Sequence, residues 1–180
     1  HSGLWDGITA RISPERVLYD CSDRPDCVAE LIAKVVEVGH GILEQFEEAG
    51  LLEAAPEEIH CTGAFSDELP SADYDGKKAT AKDTWTFSMA QIFSEVSPEM
   101  HWEFALQHEM RYLDRWGVTY YGCCEPLDIK MGILRKIKNL RKISMSYWID
   151  TDRAAAELKE DYVFSRKPTP AVLAEDHWHP

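Results

Sequence analysis

The stretch "VTYYGCCEPLDIKMGILRKIKNLRKISM", residues 118–145, contains the pattern that decides the fold. Val118–Tyr121 is β-branched and aromatic and stops at Gly122, which predicts a short strand. Leu127–Ile137 carries apolar residues at helical spacing, and Arg141–Met145 returns to a β-prone run. Further on, Thr151–Leu158 predicts a helix and Asp161–Ser165 a strand. The order is therefore β-α-β-α-β. Its strands start roughly 20 residues apart, which is long enough for right-handed parallel crossovers. The C-terminal half reads as α/β. In a parallel sheet or barrel, every strand's C-terminal end lies on one face, where the following loops build a site. Gly122, Cys123, Cys124 and Glu125 follow the first strand, Ser146, Tyr147 and Trp148 the second, and Arg166 and Lys167 the third. These three loops are expected to meet.

Upstream, "SPEMHWEFALQHEMRYLDRWG" (97–117) predicts the clearest helix. Ser97 serves as N-cap, Pro98 takes the first position, Glu99 lies in the first turn and Gly117 closes it. Ser13-Pro14-Glu15 opens another helix by the same chemistry. Asp23-Arg24-Pro25-Asp26 starts a third, whose apolar residues from Val28 to Phe46 recur at spacings of three and four as far as Gly50. Residues 53–80 are punctuated by Pro56, Gly63, Pro70 and Gly76 and read as irregular. Within them "EIHCTGAF" (58–65) predicts a short strand followed by a loop. If that strand runs parallel to the later ones, His60 or Cys61 faces the same mouth.

The 180 residues are 44% hydrophobic, enough for a single domain with a sizeable core. A formal charge of −13 argues against nucleic acid or an anionic membrane as the main partner, because both need a basic footprint. No run approaches the roughly 18 apolar residues of a membrane span, and no signal peptide is evident. Five cysteines, an odd number, do not suggest a disulfide framework. A reducing cytoplasm is the expected setting, with any special thiol a metal ligand or nucleophile. The sequence opens without methionine and ends "AEDHWHP", so it is expected to be a piece of a longer protein.

Cys123, with Glu125 as second ligand or base, is the candidate reactive centre. Cys124, His60 and Cys61 complete the candidate metal set, since zinc takes thiolate, imidazole and carboxylate. Adjacent residues of an extended chain face opposite ways, so one of Cys123 and Cys124 is expected to be a small buried hydrophobe. Ser146, Arg166 and Lys167 are candidates to hold a cofactor or anionic group. Cys21 and Cys27 lie near or within helices, and His101 and His108 lie on the strong helix; all four predict packing or surface roles. His177 and His179 flank Trp178 too close to the end of the sequence to interpret.

"AKDTWTFSMAQIFSEVSPEMHWEFALQHEMRYLDRWGVTYYGCCEPLDIKMGILRKI" (81–137) resembles the second half of the uroporphyrinogen decarboxylase superfamily. There an acidic-aromatic segment precedes an "SPE" helix, a strand, a short polar motif and another helix. "DYVFSRKPTPAVLA" (161–174) is similar to the family's later strand. The resemblance implies a partial (β/α)8 TIM barrel that lacks the first strands and leaves two open sheet edges. It also implies one of two chemistries. Uroporphyrinogen decarboxylases use no metal and bind carboxylates through arginines near the N-terminus. Cobamide-dependent methyltransferases use zinc held by a His-x-Cys pair at this strand end and a further cysteine, presenting a thiolate to the methyl group of a corrinoid. Here the His-x-Cys position reads Tyr121-Gly122-Cys123, and Cys124, Glu125, or His60 with Cys61, can replace the missing imidazole. The resemblance thus implies a zinc-thiolate methyltransferase acting with a corrinoid protein. The alternatives are a metal-free carboxy-lyase acting on a small molecule or tetrapyrrole, and a non-catalytic or corrinoid-binding chain.

Overall fold

In the computed structural model, which describes residues 3–60 and 62–175, three helices come first. They are α1 (Leu4–Thr9), α2 (Pro14–Asp23) and α3 (Pro25–Ala49). Ser13 caps α2 by accepting the Arg16 N–H at 3.2 Å. Gly50 ends α3 in the left-handed region at φ 66°. One stripe of α3 (Val28, Ile32, Val36 and Leu43) is buried.

The expected strand at 58–65 is instead an antiparallel hairpin of two-residue strands, β1 (Glu58–Ile59) and β2 (Thr62–Gly63), and it does not join the main sheet. His60 sits in its turn at φ 43°, so a regular strand cannot run through it. Cys61 lies outside the described residues.

The main sheet has four parallel strands in sequential order: β3 (Trp85–Ser88), β4 (Val118–Tyr121), β5 (Leu140–Met145) and β6 (Val163–Arg166). Three of these match the expected strands to within two residues at either end. β3 was not predicted as a strand. All four of its residues are buried, so it lacks the alternation that marks a half-exposed strand. Between β3 and β4 the chain forms α4 (Pro98–His101), a π-helical turn (Trp102–Leu106) and α5 (Gln107–Leu113). Ser97 caps this helix as expected, through the Met100 N–H at 3.2 Å. The helix stops before Gly117, however, and Gly117 answers to packing: a Cβ there would lie 2.4 Å from the Lys82 carbonyl oxygen.

Helical structure over 127–137 is confined to α6 (Met131–Leu134). The preceding turn holds Lys130 fully buried, its ammonium donating to the carbonyls of Phe93 and Ser94, so the chain there follows that side chain inward. α7 (Thr151–Leu158) follows β5 as expected, capped by Asp150, and α8 (Pro170–Leu173) follows β6. The molecule is mixed α/β, a parallel sheet flanked by helices. The larger core, from Trp5 through Ile143 and Met145 to Leu158, lies on the helical face. A smaller one (Trp85, Phe87, Val118, Tyr120) lies beneath the hairpin. No helix among the described residues is long and apolar enough to cross a membrane.

Candidate functional site: a thiol and an imidazole at the strand ends

Gly122 leaves β4 at φ 93°, where a Cβ would meet Leu127 Cδ1 at 2.4 Å, so the turn requires glycine. Its N–H bonds the Ser88 carbonyl at 2.8 Å, joining the ends of β3 and β4. The next residue, Cys123, is fixed through its backbone from three directions. Its N–H donates to Glu125 Oε2 at 2.6 Å, while Glu125 Oε1 takes the Ala90 N–H just past β3, at 2.9 Å. Its carbonyl accepts Ser144 Oγ from β5 at 2.7 Å and Lys167 Nζ from beyond β6 at 2.8 Å. Lys167 also donates to the Ser144 hydroxyl. The parallel order of the strands is what brings these residues, distant in sequence, to one point.

The Cys123 sulfur lies 3.3 Å from His60 Nε2 and 3.6 Å from Cys124 Sγ. The His60 ring stacks on Phe87 of β3, with centroids 3.9 Å apart and planes 15° from parallel. The hairpin that carries it is held by Lys142 of β5, whose Nζ donates to Thr62 Oγ1 and to the Gly63 carbonyl, both at 2.7 Å. Burial, followed by the neighbouring Cys124 thiol, pushes the Cys123 thiol up to about 12 against the opposing pull of the Lys167 charge. Burial, followed by Lys167, holds the His60 imidazole below its usual value. With no metal bound, both groups are neutral at pH 7.

Of the residues expected at the site, Cys123, Cys124, His60 and Lys167 are brought together. Glu125 is at the site, but it is fully buried and both its oxygens accept backbone N–H groups. It therefore positions Cys123, and neither oxygen is presented to a ligand. Ser146 caps its own turn by accepting the Trp148 N–H at 3.3 Å. Arg166 is exposed and aligned with Met145, whose side chain belongs to the helical face, so it points away from the thiol. His101 is buried with its Nε2 2.7 Å from the Tyr121 hydroxyl, and His108 contacts the Glu103 carbonyl. Cys21 is buried and Cys27 exposed. Cys61, His177, Trp178 and His179 lie outside the described residues. Ser144 and Lys142 were missed by the sequence reading, although their spacing of two along β5 marks them as one face of the strand.

Among the described residues, no group of three or more His, Cys, Asp or Glu side chains is arranged to hold a metal ion. The two separations at Cys123 do resemble the edges of a zinc tetrahedron. Ordinary zinc bond lengths give about 3.6 Å for a nitrogen-sulfur edge and about 3.8 Å between sulfurs. His60 and Cys123 supply two donors, and among the described residues Cys124 would supply a third only after its side chain shifts. No family model, curated protein or solved structure matches the chain.

Proposed function

We propose that the chain forms the later part of a uroporphyrinogen decarboxylase-superfamily barrel enzyme, and that Cys123 is its zinc-held thiolate in methyl transfer from a corrinoid. The reading is carried by the 3.3 Å approach of His60 Nε2 to Cys123 Sγ. An imidazole thus stands beside the thiol although position 121 of the His-x-Cys pattern is tyrosine. The sequential parallel order of β3 to β6 is compatible with one part of such a barrel. Cys123 and His60 would hold the metal, with Cys124 joining them as third ligand after its side chain shifts. Zinc, when bound, would keep the thiolates that hold it ionised at neutral pH and would lower the pKa of a substrate thiol in an open position, making that thiol the methyl acceptor. Glu125 and Ser144 orient the Cys123 peptide, and Lys167 adds positive charge that favours the ionised sulfur.

Metal analysis of the protein purified with added zinc is the test. About one zinc per chain is expected, lost in Cys123→Ser and at least tenfold weaker in His60→Ala. Unchanged zinc content in Cys123→Ser would sink the reading. Metal-free decarboxylation is the second reading, favoured by one observation: Lys142 and Lys167 lie on the same face as the thiol, where they can meet carboxylates. It predicts no stoichiometric zinc and binding of a polycarboxylate that Lys167→Met abolishes.

A further inference from the structure

Beside His60, along the open edge of β3, lies a cavity of about 340 Å³, within the range of small-molecule sites. Its walls are largely apolar, with Ile42 and Phe46 of α3 on one side and Ile59 of the hairpin on another. Trp85 and Thr86 of β3 border it and are only 5% and 2% exposed. Trp85 Nε1 and Thr86 Oγ1 are buried and have no hydrogen-bond partner among the described residues. Buried polar groups are nearly always paired, so two unpaired ones on adjacent residues call for an occupant. The cavity they border is where such a partner can sit. The indole nitrogen can only donate and the hydroxyl can donate, so the occupant must carry an acceptor. No lysine or arginine is among the described residues that line the cavity, and Glu53 is, which disfavours an anion.

We infer that this cavity binds a neutral, largely apolar molecule bearing a hydrogen-bond acceptor such as a carbonyl or ether oxygen, held against His60. The assignment requires neither zinc nor a particular reaction, so it stands or falls apart from the metal reading. If Cys123 is the reacting centre, the cavity is the substrate's apolar berth beside it.

Acetophenone is a suitable probe, with ethylbenzene as its acceptor-free analogue and benzoate as its anionic one. Binding is followed through the indole N–H resonances of the 15N-labelled protein, with Trp85→Phe assigning the Trp85 signal. Acetophenone is expected to shift that signal saturably and to bind about fivefold or more tightly than ethylbenzene, as one gained hydrogen bond implies. Benzoate is expected to bind more weakly than acetophenone. Trp85→Phe, which keeps the ring and drops the donor, should cut acetophenone affinity toward that of ethylbenzene while leaving ethylbenzene unchanged. A Trp85 signal unmoved by acetophenone at its solubility limit would overturn the assignment. So would equal affinity for ketone and hydrocarbon, and preferred binding of benzoate would overturn its neutral character. Thr86→Val gives an independent second variant should Trp85→Phe fail to fold.

Discussion

Glu125 shows how much of the site depends on one buried carboxylate. It takes two peptide N–H groups, from Cys123 and Ala90, across the gap between two strand ends. Glu125→Ala leaves both donors buried without an acceptor, so a loss of about 2–5 kcal/mol is expected in chemical denaturation. Glu125→Gln keeps one acceptor and should cost less. Equal losses would mean that neither the side chain's volume nor the one acceptor kept by glutamine matters, and that the intact carboxylate is required. Glu109 of α5 is also buried. Burial, reinforced by the charges of Asp6 and Glu125 and opposed by a 2.5 Å hydrogen bond from Ser88 Oγ, raises it to about 7. A carboxyl whose folded value exceeds its unfolded one holds its proton more tightly when folded. It therefore weakens stability as pH rises from about 4.5 to about 7, and adds no further dependence above that. The wild-type protein should lose up to about 3 kcal/mol over that window relative to Glu109→Gln. Parallel denaturation curves from pH 5 to pH 8 measure the difference, and other titrating groups cancel in it. A constant difference across the range would refute the raised value.

At the level of elements, the β1–β2 hairpin carries His60 to the site from outside the main sheet. Lys142 fastens it with two hydrogen bonds to an exposed turn region. Lys142→Met is expected to cost only about 1 kcal/mol, since water can replace the lost donor. Its effect should be local: faster amide exchange over residues 58–63 with the β4 and β5 amides unchanged. Slower exchange, or a change spread through the sheet, would contradict this. The same elements show what the sequence made legible. β4, β5 and α7 were readable because each combined a clear residue preference with a clear stop, Gly122 for β4 and the Asp150 cap for α7. β3 was not, because, unlike β4, no glycine marks its end, and its four buried residues leave no alternation to detect. α6 was overestimated because helical spacing says nothing of Lys130 turning inward to two carbonyls. At the site, the chemistry of Cys123 and the charge at Lys167 could be read from residue type and loop position. The role of Glu125 could not, since a carboxylate next to a thiol reads as a ligand until its hydrogen bonds are seen.

Across the whole molecule, α1 is held against the connection between β3 and β4 through Trp5. Its ring is fully buried, meets Phe93 edge-on at 5.1 Å, and donates from Nε1 to the Phe104 carbonyl at 2.8 Å. Trp5→Ala should cost about 3–5 kcal/mol through cavity formation and the orphaned carbonyl. A fall in melting temperature of about 10 °C is expected, as one transition, if α1 and the sheet unfold together. Two resolved transitions in calorimetry would show instead that the helices and the sheet are separate cooperative units.

Each strand of the sheet lies beside the one that precedes it in the sequence, from β3 through to β6. A growing chain can therefore lay down the sheet as it leaves the ribosome, each new strand finding its neighbour already in place. No strand has to be inserted between two older ones, so no finished pairing must be undone. Each pairing still spans a crossover connection, so the sheet is expected to form more slowly than the helices, with its apolar edges covered one strand at a time.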